Sequence, residues 1–150
     1  MIQLEPLTIL LVEDDIADQK LILRSITDQK IANDIEIVNS GEEGLEYLNE
    51  CKQGSNIKMM PDLILLDLNM SGMGGKEFLK RIKGLEYFKH IPVVILTTSD
   101  SDKDILDTYK LQASGYIKKP VTLEEFKIIM KQIEAYWFVL CKRPLMHNMS

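Results

Sequence analysis

Short aliphatic runs alternate with longer amphipathic stretches along this chain. The runs are Thr8–Val12, Ile35–Val38, Leu63–Leu66, Val93–Leu96 and Gly115–Lys118. Each is four or five residues long, and the first, third and fourth are almost wholly aliphatic. A strand buried on both faces has that pattern, as in a parallel sheet covered on each side. Ile35–Val38 and Gly115–Lys118 mix charged with apolar residues, which suits strands partly open to solvent.

The intervening segments predict helices. Ser40 with Glu43, and Thr122 with Glu125, match the capping box that starts a helix. Leu123, Phe126, Met130, Ile133, Trp137 and Leu140 recur at steps of three and four, which makes one helical stripe. The charged run Asp100–Asp104 reads as a solvated helix start, where the helix dipole favours acids. The fourth helix is expected over about Asp102–Leu111. Five strands alternating with five helices predict an α/β doubly wound domain with helices on both faces of a parallel sheet. The chain, at 150 residues, suits one domain with a full core, and no repeat or linker divides it.

Ligands of such sheets bind beyond the carboxyl ends of the strands, so the residues after each run carry the candidate chemistry. Glu13, Asp14 and Asp15 follow the first run, Asp67, Leu68 and Asn69 the third, Thr97, Thr98 and Ser99 the fourth, and Lys118, Lys119 and Pro120 the fifth. Carboxylates crowded together repel, so at least one is expected to have a raised pKa, and a divalent cation relieves the repulsion. Mg²⁺ takes oxygen ligands and commonly uses one or two carboxylates plus a phosphate. A lysine can pair with a phosphoryl group and a threonine hydroxyl can donate to it. The set suits acyl-phosphate chemistry, with a carboxylate as the nucleophile toward phosphorus.

Four segments in this order, LLVEDD (Leu10–Asp15), LILLDLNMSGMGG (Leu63–Gly75), PVVILTTS (Pro92–Ser99) and SGYIKKP (Ser114–Pro120), resemble the receiver domain of two-component response regulators. The resemblance covers roughly residues 7–140, with 141–150 left as a short tail. It implies a flavodoxin-like receiver fold with strand order 2-1-3-4-5, in one receiver domain over 1–150. It also implies that Asp67 is the phosphoacceptor, that Glu13, Asp14 and Asp67 bind Mg²⁺ together with the main-chain carbonyl of Asn69, and that Thr97 and Lys119 hold the phosphoryl group. Thr97 and Tyr116 fall on the switch positions, and the Lys119–Pro120 bond is expected to be cis. The long loop Cys51–Pro61, the LTTS segment and the ending IEAYWF (Ile133–Phe138) resemble the small stand-alone regulators that partner phytochrome-type histidine kinases. Ser71 stands where the family usually has proline, Gly74 where many members have aspartate, and Glu13 where aspartate is commoner.

The function this implies is a phosphorylation-dependent switch. It takes a phosphoryl group from a sensor histidine kinase, catalyses only its own phosphorylation and dephosphorylation, and signals by protein contact or phosphorelay through helix four, strand five and helix five. The alternative is a degenerate receiver that binds partners without phosphorylation. A phosphatase with an Asp-x-Asp motif is disfavoured, because Asn69 cannot act as its general acid. A flavin carrier is disfavoured because three acids follow the first strand, where a cofactor phosphate would sit. The large apolar residues Tyr136–Leu140 cannot all face one core, which leads us to expect a homodimer through helix four, strand five and helix five.

Charge and composition narrow the partners. The net charge of −5 disfavours nonspecific nucleic-acid or membrane-surface binding. No apolar run is long enough to span a bilayer, and the N-terminal apolar stretch has no basic flank and ends in acids, unlike a signal peptide. Cys51 and Cys141 are read as reduced thiols, consistent with a cytoplasmic location.

Overall fold

The computed structural model describes residues 7–27, 33–54, 60–99, 101–119 and 122–135. The elements alternate in chain order as β1 (Leu7–Val12), α1 (Ile16–Thr27), β2 (Asn33–Val38), α2 (Gly41–Lys52), β3 (Leu63–Leu66), α3 (Gly75–Lys83), β4 (Val93–Thr97), α4 (Asp102–Lys110), β5 (Gly115–Lys118) and α5 (Leu123–Ala135). The five strands form one sheet in the order β2-β1-β3-β4-β5, and every pairing is parallel. This is the doubly wound fold expected from the alternation, and the strand order agrees with the family resemblance.

The two-residue period of the strands divides the core. Leu10, Val12, Ile64, Leu66, Val93 and Ile95 face one side, where Tyr47, Leu48 and Cys51 of α2 and Phe78, Leu79 and Ile82 of α3 cover them. Leu7, Ile9, Leu11, Leu63, Leu65, Val94 and Leu96 face the other side, under Ile22 and Ile26 of α1 and Phe126 and Met130 of α5. Side chains such as Phe78 and Phe126 are wholly buried, each stabilising the fold by ~1.5–3 kcal/mol relative to exposure. β1, β3 and β4 are buried throughout. The mixed runs are the edges, β2 and β5, as their composition foretold.

Boundaries differ where packing overrides composition. β2 begins at Asn33, because that residue and Asp34 pair in register with Leu7 and Thr8, and Asp34 is exposed at the sheet edge. β4 continues to Thr97, which pairs with Lys118. Cys51 is not a loop residue: it extends the apolar face of α2 and is buried with Tyr47 and Leu48. α4 stops at Lys110, with Leu111 as its cap. At α2, the Ser40 hydroxyl accepts from Glu43 N at 3.1 Å, but the Glu43 carboxylate reaches Asn39 N at 2.6 Å instead of closing the box on Ser40. Of the predicted α5 stripe, Phe126 and Met130 are buried and Leu123 half-buried. Trp137 and Leu140, with the rest of 136–140, lie outside the described residues, as does Pro120 and hence the expected cis bond.

Candidate phosphoacceptor and metal site

The parallel registers carry four strand ends to one edge of the sheet. Val12 is level with Leu66, and Asp67 N donates to Val12 O at 3.0 Å, so Glu13 and Asp67 emerge side by side. Thr97 is level with Lys118, and Lys119 N donates to Thr97 O at 2.7 Å. Residues over 100 positions apart thus meet in one cleft. Four of them are polar yet nearly inaccessible: Glu13, Asp67, Thr97 and Lys119 are at most 8% exposed.

Buried charges persist only when paired or hydrogen-bonded, and these are. The Lys119 ammonium donates to Glu13 Oε1 and to Asp18 Oδ2 at 2.7 Å, and lies 4.0 Å from Asp67 Oδ2. Glu13 Oε2 accepts from Asp15 N at 3.2 Å. Asp67 Oδ1 accepts from Asn69 N at 3.2 Å. Burial, reinforced by the neighbouring Asp67, pushes the Glu13 carboxyl up to about 7, although Lys119 works against that rise. Burial would lower the Lys119 ammonium, but its bonds to Asp18 and Glu13 outweigh it and hold the pKa above the ordinary value. The raised carboxylate expected from the crowded acids is therefore Glu13, and desolvation is the larger cause.

Glu13, Asp14 and Asp67 each present one carboxylate oxygen, and these atoms lie within 4.8 Å of one another. Asp14 is exposed and the other two are buried, so the cluster opens to solvent on one side. Three hard oxygen donors at the mouth of a cleft fit a divalent cation of the Mg²⁺ type. The loop after β3 turns back tightly on Asp67 and Leu68 because Gly75 has no side chain: a Cβ there would stand 2.4 Å from the Asp67 carbonyl oxygen. Gly72 takes a left-handed φ of 73° in the same loop, a conformation that suits glycine. Glu42 at the start of α2 accepts from Met73 N at 2.6 Å and fixes the loop from outside.

Thr97 has its hydroxyl engaged by the Asn69 side-chain amide at 3.0 Å and by Ser99 N at 3.3 Å. The same amide donates to Thr98 Oγ1 at 3.2 Å. The half-buried Tyr116 donates from its hydroxyl to Ser99 O at 2.8 Å. The two switch candidates therefore meet at Ser99, which lies between β4 and α4. Asp104 corrects the expectation of a purely solvated helix start. It pairs with Lys76 of α3 and accepts from the Ser99 hydroxyl, while Lys76 also reaches Asp107 at 3.1 Å.

Glu13, Asp14, Asp67, Thr97 and Lys119 lie together at this edge. Asn69 joins them through its bonds to Asp67 and Thr97, and Tyr116 reaches Ser99 beside Thr97; Pro120 lies outside the described residues. Asp18 and Glu42 were missed. Both are acids in the first turn of a helix, where the dipole alone explains an acid, so their composition carried no sign of a longer-range partner.

The geometry and fold define the class. A family model for the response regulator receiver domain matches residues 9–131, and the chain belongs to that family. Among its relatives is the protein named "Probable methanogenesis regulatory protein FilR2" of Methanothrix harundinacea, 37% identical, with 93% of this chain and 89% of the relative covered. Response regulator Rcp1 of Synechocystis is 35% identical over 93% of this chain and 94% of its own length. The crystal structure of the Mn²⁺-bound form of Rcp1 superposes with a TM-score of 0.79 at 34% identity, covering 93% of this chain and 99% of that one. The phosphorylated cyanobacterial phytochrome response regulator RcpA superposes with a TM-score of 0.81 at 36% identity, over 93% of this chain and 99% of that chain. The chain is thus a response-regulator receiver domain of the two-component type. No described helix is long and apolar enough to cross a membrane.

Proposed function

We propose that this protein is a receiver that accepts a phosphoryl group on Asp67 from the phosphohistidine of a sensor histidine kinase, in the cytoplasm, and signals through a changed protein-contact surface. One observation carries this reading. A buried carboxylate, Asp67, sits within 4.8 Å of two further acids and 4.0 Å from a buried lysine. Its accessible neighbour Asp14 leaves a way in.

A carboxylate oxygen of Asp67 forms a bond to phosphorus as the P–N bond of the donor histidine breaks, and the imidazole keeps the electron pair and takes up a proton. Charge on the equatorial oxygens needs cationic neighbours. Lys119 supplies one, and the Thr97 hydroxyl, which accepts from Asn69 and Ser99, still has its own proton to donate to an oxygen. Glu13, Asp14 and Asp67, with the Asn69 carbonyl, would hold Mg²⁺, which when bound supplies Lewis-acid neutralisation of the phosphoryl oxygens. Attack by water on phosphorus later releases phosphate and restores the carboxylate. The domain catalyses only these changes to itself.

The name of RcpA, a phytochrome response regulator, supports a phytochrome-type kinase as the partner class, and the chain covers 99% of that structure. The output surface is α4, β5 and α5. Leu106 and Tyr109 of α4 and Ile128 of α5 are exposed large apolar residues there. A homodimer through this face is the expected assembly, and a monomer by sedimentation with and without beryllofluoride, at tens of micromolar, would reject it.

The decisive test offers the protein acetyl phosphate with Mg²⁺ and weighs it. Wild type should gain one phosphoryl group and Asp67→Asn none, because the amide is nearly isosteric but not a competent nucleophile. Equal labelling of both would place the phosphoacceptor elsewhere.

A further inference from the structure

Lys119 is held between carboxylates of very different surroundings. Glu13 is wholly buried, whereas the Asp18 side chain is 35% exposed on the first turn of α1. A dianion arriving on Asp67, 4.0 Å from the ammonium, competes with both for the same protons, since charge-assisted hydrogen bonds are the strong ones. Leaving Glu13 would strand a carboxylate with little access to water, a costly outcome. Leaving Asp18 exposes a group that water already reaches and can rehydrate. The contact to be surrendered is therefore the one with Asp18. A small crevice lined by Asp18, Leu21, Ile22, Leu96 and Phe126 adjoins Lys119, so water can reach the Asp18 side of the pair.

We propose that Asp18 is a positioning residue that restrains the Lys119 ammonium in the unphosphorylated protein and competes with the phosphoryl group for it, so setting how strongly the phosphorylated state is favoured. This rests on Asp67 being the phosphoacceptor. The bond links α1 to the residue just after β5, through side chains 101 positions apart in sequence. It acts only through Lys119.

The test measures beryllofluoride affinity by calorimetry, with Mg²⁺ saturating, for wild type, Asp18→Asn, Lys119→Met and the double variant. Asparagine keeps the size of Asp18 and loses the charge. Asp18→Asn should bind beryllofluoride about fivefold more tightly, equivalent to about 1 kcal/mol. In the Lys119→Met background the same substitution should change nothing, a coupling that a merely structural role of Asp18 would not produce. Thermal unfolding checks that each variant is folded, and Asp18→Ser replaces Asp18→Asn if the latter is not. Equal or weaker binding by the Asp18 variant, or a gain that persists without Lys119, overturns the restraint while leaving the phosphoacceptor reading intact. If wild type itself binds no beryllofluoride, the phosphoacceptor reading falls and the restraint with it.

Discussion

Two clusters in this protein have nearly the same composition and opposite physics. In one, Lys119 lies among Glu13, Asp18 and Asp67. In the other, Lys76 lies between Asp104 and Asp107. Each joins elements distant in sequence. The Lys119 side chain is 9% exposed and Glu13 not at all, whereas Lys76 and Asp104 are 37% and 26% exposed. Burial changes the sign of the result. Glu13 rises to about 7 because desolvation outweighs the lysine, while Asp104 falls to about 2 because Lys76 and the Ser99 hydroxyl outweigh desolvation. The buried cluster is paired, yet desolvation still holds Glu13 above its ordinary value, so a further cation there would stabilise its anion, in keeping with the proposed metal site. The exposed cluster is satisfied as it stands and ties α3 to α4.

The largest effect is expected from removing the buried cation. Lys119→Met leaves Glu13, Asp18 and Asp67 facing one another without it, and breaking a buried pair on one side costs roughly 3 kcal/mol. Denaturant unfolding at neutral pH in chelator should show that loss, and saturating Mg²⁺ should restore much of it. A variant as stable as wild type in chelator would mean that the acids gain little from Lys119.

Next in size is a pH effect on the metal-free protein. The folded pKa of Glu13, about 7, lies above its ordinary value of 4.5. Between those values the folded state binds more protons than the unfolded one, so stability falls as pH rises through the window. The rise in pKa alone corresponds to about 3 kcal/mol, and the coupling of Glu13 to Lys119 and Asp67 reduces the fall to about 2 kcal/mol. Glu13→Gln should flatten the slope. A flat wild-type profile from pH 4.5 to 7 in chelator would show that Glu13 is not desolvated in solution.

The same contrast explains what could be read from the sequence. Buried strands announce themselves by continuous aliphatic runs, and the doubly wound rule then places their ends together. Glu13, Asp67 and Thr97 were legible because each directly follows such a run or, for Thr97, ends it, whereas Lys119 follows the mixed edge run Gly115–Lys118 and took its role from the family resemblance. Asp18 and Asp104 were not legible. Both are helix-start acids, and only the packing of α1 against β5's end, or of α4 beside α3, gives them a lysine. The strand order came from family resemblance, because the alternation of elements alone permits several orders. Cys51 was misplaced because the boundary of α2 depends on burial against Tyr47 and Leu48, not on local composition.

The smallest expected effect belongs to the exposed cluster. Asp104 has a folded pKa of about 2 against an ordinary 3.8. The unfolded chain therefore binds more protons in that window, and the contribution is complete above pH 3.8 and lost as pH falls toward 2. Solvent screening at partly exposed side chains reduces the contribution to below about 1 kcal/mol. Lys76→Met should remove it with little change in acetyl phosphate labelling, since Lys76 touches neither Asp67 nor Lys119. Salt distinguishes the two clusters further, because exposed pairs are screened and buried ones much less so. Raising ionic strength from low to about 0.5 M should erase the difference in thermal midpoint between wild type and Lys76→Met, while most of the Lys119→Met difference remains. If both differences shrink equally, the Lys119 cluster is as open to solvent as the Lys76 cluster, and the burial argument for its chemistry fails.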